Sequence, residues 1–436
     1  MPGTYVVQSG NFSLEVDTGY DWGSFTLDDV TKGVLDNTEF LLGPGTDYAD
    51  VTAGAVSVRS MRGRQDIGDQ FTYGTMTFVL NDSLAGGIFS PFDTSSPYYD
   101  PANSQPGLAP LRKVRFSRYD SSGVKKYLFV GYIVNYDYEF GAPGDQSYIT
   151  VMCADYFYIL AQTRMNAWSP SEELTGARYN NVLSLSEVNY PTGAAYRNIS
   201  TGTVTLGGSA AYNVEQGTSV ATYANDINLA EQGRVFISRE GVFTTQNRLG
   251  NTLSGSVADF HDDNPNTGIP YNNVDISFQA DQVKNYSAIT HLGATSPQTA
   301  EDAASRAKYL TQSIFIDNSL VHNDAAALAL AQYLIVGEPE ARFNYVGSNF
   351  AMMSNSQRDA CAIIDIGDTV TVQKLIETGT TSYQLAQELS VEGIQWNVDL
   401  HKGFEFTLFT APTTIVYELI LNDPVYGTLD ALNVLG

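Results

Sequence analysis

Among the groups in this chain able to move a proton or hold a metal are four histidines, His261, His291, His322 and His401, and 48 Asp and Glu residues. Their spacing builds no familiar site. The histidines follow no HExxH or other ligand interval. No GxSxG elbow, Walker A loop or GxGxxG turn leads from a strand into a helix, so neither a nucleophile nor a phosphate cradle is encoded. Carboxylate pairs that hydrolyse glycosides need only a fixed separation in space, which a sequence does not display. Asp259, Asp262, Asp263, Asn264 and Asn266 have the oxygen-rich character that calcium prefers. They lack the Gly at the sixth position and the closing Glu of an EF-hand loop, and read as a solvated linker. Cys153 and Cys361 lie in apolar or mixed surroundings without a CxxC pattern and read as buried thiols. The expectation is a protein with no catalytic, cofactor-binding or metal-binding residues.

Composition narrows the class further. Only 23 basic residues stand against 48 acidic ones, a formal net charge of -25 over 436 residues. Each contact to a nucleic-acid backbone needs a neutralising cation, so tight or sequence-specific nucleic-acid binding is not expected. An acidic wall past which DNA slides without sticking is compatible with the balance. The length suits two to four domains with proper cores. The first twenty residues contain no basic n-region and no apolar core, and no uncharged apolar run approaches the ~20 residues a membrane helix needs. Synthesis in a cytoplasm, with neither signal peptide nor bilayer anchor, is the expectation.

The elements follow from local pattern. Gly19, Gly23, Gly33, Gly43 and Gly45 break any helical period in residues 1–50, which read as an arm with short strands. From Val51 the pattern alternates, with Met76, Phe78 and Leu80 on one face. Strands continue to about Cys153. The stretch from Phe89 to Pro110 concentrates prolines and aromatics; Phe92, Tyr98 and Tyr99 argue for an ordered loop, and Phe92 to Tyr99 is the candidate glycan contact if there is one. Thr175 reads as the cap of a helix to about Val188. Thr218 or Ser219 caps a second, through Gln232, with Gly233 at the left-handed position. RVFISREGVFTTQNR reads as a hairpin around Glu240-Gly241. Further strands are expected near Val274 to Phe278 and Ile289 to Leu292. Asn323 caps the clearest helix, Asp324 to Val336, which Gly337 stops.

Two internal duplications bear on function. LDDVTKGVLD at Leu27 to Asp36 matches LNDPVYGTLD at Leu421 to Asp430, pairing Leu27 with Leu421, Asp29 with Asp423, Gly33 with Gly427 and Leu35 with Leu429. A segment used twice has two equivalent places to dock, so these eight residues are the candidate assembly latch, with the aspartates capping turns and the leucines entering a groove. The second duplication is larger. Val114-Arg115-Phe116, FVGYIVNYDYEF from Phe129 and YITVMCADY from Tyr148 have partners in Val370-Thr371-Val372, VEGIQWNVDLHKGF from Val391 and FEFTLFTAPT from Phe404. Aligning Gly131 with Gly393 sets Asn135 on Asn397 and Asp137 on Asp399; Thr150 then falls on Thr407 and Ala154 on Ala411. One small strand-rich unit is therefore expected twice. Arg59, Arg62 and Arg64 form a basic island in this acidic chain, read either as a solvated turn or as a salt-bridging contact to an acidic neighbouring subunit.

The succession SVRSMRGRQD, FTYGTMTFVLND, SPFDTSSPYYDP, LAPLRKVRF and LFVGYI resembles the N-terminal half of the minor tail proteins of long-tailed bacteriophages, especially those infecting actinobacteria. NDINLAEQGRVFISREGVFTTQNR, the Leu- and Ala-rich helix ending in LIVG, and IGDTVTV followed by SVEGIQW resemble the tail-hub members of that group. The resemblance implies a mainly β fold with an α+β insertion: two related β-barrel-like domains per chain, assembled as a trimer into a pseudo-six-fold ring. Such a hub sits in the virion at the tail tip, joins the tail tube to the tip, contacts the distal tail and tape-measure proteins, and lets DNA pass without specific binding. The domains expected are an arm at 1–50, a first barrel-like domain at 51–160, an α+β insertion at 161–260, a second half at 261–412 and a C-terminal tail at 413–436. A hexameric distal tail protein and a glycan-binding or glycan-degrading tail-tip module are the competing readings.

Overall fold

The computed structural model describes residues 10–18, 48–66, 68–82, 89–90, 92–96, 98–102, 104–106, 109–142, 145–249, 255–262, 268–379, 381–399, 403–412, 417–418 and 433–434. The chain is mainly β, with few helices and several sheets. The strands that matter here are β1 (Phe12–Asp17), β2 (Tyr48–Asp50), β3 (Ala55–Gly63), β4 (Thr75–Asn81), β5 (Lys113–Tyr119), β6 (Lys125–Glu139), β7 (Tyr148–Ala154), β8 (Arg234–Ile237), β9 (Phe243–Gln246), β10 (Ala258–His261), β11 (Asn273–Ser277), β12 (Tyr286–His291), β13 (Ser313–Ser319), β14 (Arg342–Asn349), β15 (Thr369–Thr378), β16 (Thr381–Asp399) and β17 (Gly403–Pro412). Period-two burial explains them, as in β4, where Met76, Phe78 and Leu80 face the core.

The expected duplication is written in the ladders. A first unit has strand order β3-β4-β7-β6-β5 and a second has β11-β14-β17-β16-β15, all antiparallel. In the first, Ile133 faces Cys153 and Asn135 faces Met152, leaving Val134 as a bulge. In the second, Val391 faces Thr410 and Gly393 faces Phe409, leaving Glu392 as the bulge. Around these fixed points Asp137–Thr150 corresponds to Gln395–Thr407, Tyr132–Ala154 to Ser390–Ala411, and Val114–Gly131 to Val370–Leu389. Thr150 with Thr407, Ala154 with Ala411, and Val114 with Val370 thus hold as equivalents. Gly131 with Gly393 does not. Gly131 corresponds to Leu389, and Gly393 to Asn135.

Neither unit closes on itself among the described ladders. Instead β16, after pairing with β15 through its first half, pairs with β3 through its second, so the two units run on as one sheet. They also share one core. Phe12 and Phe116 of the first side stack at 5.4 Å, Phe12 meets Phe350 at 6.0 Å and Phe404 at 5.3 Å, and Trp396 lies 5.3 Å from Phe406. Burying rings of this size adds cohesion between the units, at roughly 25 cal/mol per Å² of apolar surface removed from water.

A second core belongs to the α+β part. Helices α1 (Tyr156–Gln162), α2 (Thr175–Leu183) and α3 (Val220–Glu231) pack with the β8–β9 hairpin, and the same core takes in Ile289, Ile316, Leu320 and Val321, and Leu330 of α5, described below. Residues 286–333, read from sequence as part of the second half, therefore pack with the insertion. They form β12, β13, α4 (Ala303–Tyr309) and α5 (Asp324–Tyr333). The Asn323 side chain accepts from Ala326 N–H at 2.9 Å, the cap expected. Three expected caps differ. Ser219 precedes α3, but its hydroxyl donates to the Ala161 carbonyl at 3.1 Å and that of Thr218 to the Glu215 carbonyl at 2.8 Å instead of capping. Thr175 is the first helical residue, and its hydroxyl donates to Glu231 at 2.7 Å instead of capping. Gln232, at φ 56°, takes the left-handed position expected of Gly233, because a Cβ on Gly233 would meet the Gln246 carbonyl oxygen at 2.1 Å. Gly233 is needed for close approach, and the turn falls one residue earlier.

Candidate functional site

The place where the most chemistry converges is the joint between the units. Here β16 sits between β17 and β3, with Gly393 opposite Gly63, Trp396 opposite Ser60 and Asp399 opposite Ser57. The two glycines allow the crossing: a Cβ on Gly63, whose φ is 81°, would stand 2.2 Å from the Glu392 carbonyl oxygen, and one on Gly393 would stand 2.4 Å from that of Arg64. No side chain fits between backbones so close.

The bulge aims Glu392 into this joint, where it is 2% exposed. Arg64 reaches one carboxylate oxygen at 2.8 Å and Arg234, from β8, reaches the other at 2.6 Å. Burial opposes ionisation of Glu392, but the two guanidiniums outweigh it and hold the carboxyl below its ordinary value. Arg234 also donates to the Ser390 hydroxyl at 2.7 Å. The cluster therefore pins the first unit, the second unit and the α+β part to one carboxylate.

Arg62 makes a parallel connection. It is 3% exposed, lies 2.7 Å from Asp365 and donates to the Leu128 carbonyl at 3.1 Å. The other Asp365 oxygen accepts from Arg239 N–H at 2.9 Å. Beside Arg62, Asp155 is buried and accepts from the N–H groups of Gly74 at 2.7 Å and Phe157 at 2.9 Å. Burial dominates there and pushes its pKa up to about 7, against those donors and the Arg62 charge. Further out, Arg118 of β5 bridges to Asp359 of α6 (Asn355–Ile363) at 2.6 Å.

Of the basic island, Arg62 and Arg64 thus face acids of their own chain, and Arg62 has no surface left for a neighbour. Arg59 is exposed and donates to the Asn397 side chain at 3.1 Å. Leu27, Asp29, Gly33, Leu35, Leu421, Asp423, Gly427 and Leu429 lie outside the described residues. Asp262 is engaged by Lys374 and by Leu375 N–H at 2.9 Å, while Asp263, Asn264 and Asn266 are outside the described residues. Cys153 and Cys361 are buried and free, with burial raising both thiol pKa values. Phe92 is 77% exposed and its ring stacks 6.2 Å from that of Phe140. Sequence reasoning missed Glu392, Arg234 and Asp365. The only local signal was Gly393 in SVEGIQW, since a Gly inside a strand pattern suggests a bulge.

No family model matches the chain, and no curated protein matches it. Solved structures do. The chain is similar to the tail protein from Neisseria meningitidis MC58, with TM-score 0.55 and 11% identity, over 93% of this chain and 97% of that one. Weaker likenesses are the 43 kDa tail protein of prophage MuSo2 from Shewanella oneidensis (TM-score 0.48, 12% identity, 84% and 95% covered) and the prophage tail protein gp18 from Listeria monocytogenes EGD-e (TM-score 0.47, 9% identity, 92% and 95% covered). The Neisseria likeness, spanning nearly the whole of both chains, shows that this chain has the same fold as that tail protein.

Proposed function

We propose that the chain is a structural subunit of a phage tail, of the tail-hub type, which assembles with copies of itself into a ring joining the tail tube to the tip. The observation that carries this reading is the repeated five-strand unit, joined within the chain by β3 and β16. A chain holding two equivalent units side by side supplies two steps of a ring, and three copies supply six. A protein of this kind resides in the virion tail, and the sequence resemblance points to an actinobacterial host. Its neighbours are the distal tail and tape-measure proteins. The net charge of -25 suits a channel through which DNA passes without being held. The role is structural and not enzymatic. No helix among the described residues is long and apolar enough to cross a membrane.

Light scattering of the purified full chain, followed by particle averaging in the electron microscope, tests the reading. A three-fold ring of six similar lobes around a channel is the expected result. A six-fold ring of single chains would favour a distal tail protein instead. A monomer that retains immobilised saccharide, or releases reducing ends from one, would favour the glycan module.

A further inference from the structure

Within the chain, the second half of β16 is covered on its outer side by β3. The equivalent half of β6, beyond Ile133, pairs with β7 on one side and has no backbone partner on the other among the described residues. The strand equivalent to β3 is β11, and among the described residues β11 pairs only with β14. The pairing that joins unit one to unit two therefore leaves the same two edges open at the far ends of the run, and open edges of complementary direction pair readily.

Resting on the hub reading above, we infer that β11 of one copy pairs antiparallel with the open half of β6 in the next copy, in the register that β3 and β16 use inside the chain. The correspondence fixes the register. Val58 opposite Phe78 and Val274 opposite Val346 align β3 with β11, and the bulges align β6 with β16. Trp396 opposite Ser60 then becomes Tyr138 opposite Ile276, with Tyr136 opposite Phe278, Asp137 opposite Ser277, Glu139 opposite Asp275 and Phe140 opposite Val274.

The side chains suit this register, which was set by backbone alone. Tyr136, Tyr138 and Phe140 fall on one face, against Phe278, Ile276 and Val274. Phe278 is 69% exposed, Phe140 60% and Ile276 38%, so the joint covers apolar surface that the single chain leaves wet. Where the internal joint holds the buried Glu392 between arginines, the corresponding place between copies has Val134, with Ala280 in the position of Arg64. No charge is buried unpaired there. Glu139 opposite Asp275 is a like-charge pair on the exposed face, so association should tighten with rising salt and in Glu139→Lys.

Paired cysteines test the register in the full-length chain. Asp137 and Ser277 face each other across the joint but lie at opposite ends of the strand run within one chain. The variant Asp137→Cys/Ser277→Cys, oxidised in its assembled state, should give covalent multimers on a non-reducing gel. Either single variant, and the displaced pair Asp137→Cys/Asp275→Cys, should not. Assembly of full size without covalent multimers from the first pair, or with equal yield from the displaced pair, would overturn this joint and leave the ring reading standing. A chain that stays monomeric at every concentration would overturn both.

Discussion

Leu111 and Gly367 occupy the same place in the two units. Each precedes the outer strand of its unit in the left-handed conformation, at φ 64° and 88°, and each donates its N–H at 2.7 Å to the carbonyl of the residue before a bulge, Ile133 and Val391 respectively. The return bonds match as well: Ile133 N–H reaches Arg112 and Val391 N–H reaches Asp368, both at 2.9 Å. A turn reproduced to this level ties the start of the outer strand to the bulge in both units.

The two positions should respond to substitution with opposite sign. Leu111 is 63% exposed and bears the steric cost of positive φ with little burial to offset it. Leu111→Gly should stabilise the chain, by up to about 1 kcal/mol after the extra entropy of a glycine in the unfolded chain. Gly367→Ala should destabilise it by about 1 to 2 kcal/mol, since the left-handed backbone is retained. Denaturant midpoints of the two variants against the parent give both signs.

Glu392→Ala removes the carboxylate that Arg64 and Arg234 share. Two guanidiniums are left partly buried without their acid, and a loss of about 3 to 5 kcal/mol is expected, read as a drop in denaturant midpoint. Because the folded pKa of Glu392 is depressed, its contribution is present above the unfolded value of about 4.3 and is lost as pH falls through the folded value. The parent should therefore lose stability on acidification more steeply than Glu392→Ala.

Asp155 should act the other way. Its folded pKa, raised by burial to about 7, lies above the unfolded value of about 3.9. Between these values the folded state holds the proton more tightly, so the contribution of Asp155 is full below about pH 4 and declines as pH rises to about 7. Thermal midpoints collected across that window should fall more with pH in the parent than in Asp155→Asn. Parallel curves would show that the carboxyl titrates normally in the fold.

Removal of residues 421–436 tests the latch drawn from the repeated LxDxxxGxLD segment. The truncated chain should keep its circular dichroism and lose assembled mass by light scattering. Assembly of unchanged mass would mean that the segment docks nothing in the ring.

The sequence by itself determined the elements and their repetition. Alternating hydrophobicity specified the strands, Asn323 specified the start of α5, and Glu240-Gly241 specified the hairpin. These are short-range properties, set by residues within a turn or two of one another. Register was decided only in the tertiary structure. Setting Gly131 on Gly393 instead of on Leu389's place slips β6 against β16 by four residues, from 389 to 393. An even slip keeps every side chain on its own face, so hydrophobic pattern does not detect it. Only the bulges at Val134 and Glu392 fix the frame, and each appears only once its strand has paired with the strand that follows it. Arg62 shows the same limit, for its acid stands 303 residues away in sequence, and whether such a cation faces solvent, another copy or its own chain depends on which backbones the fold brings together.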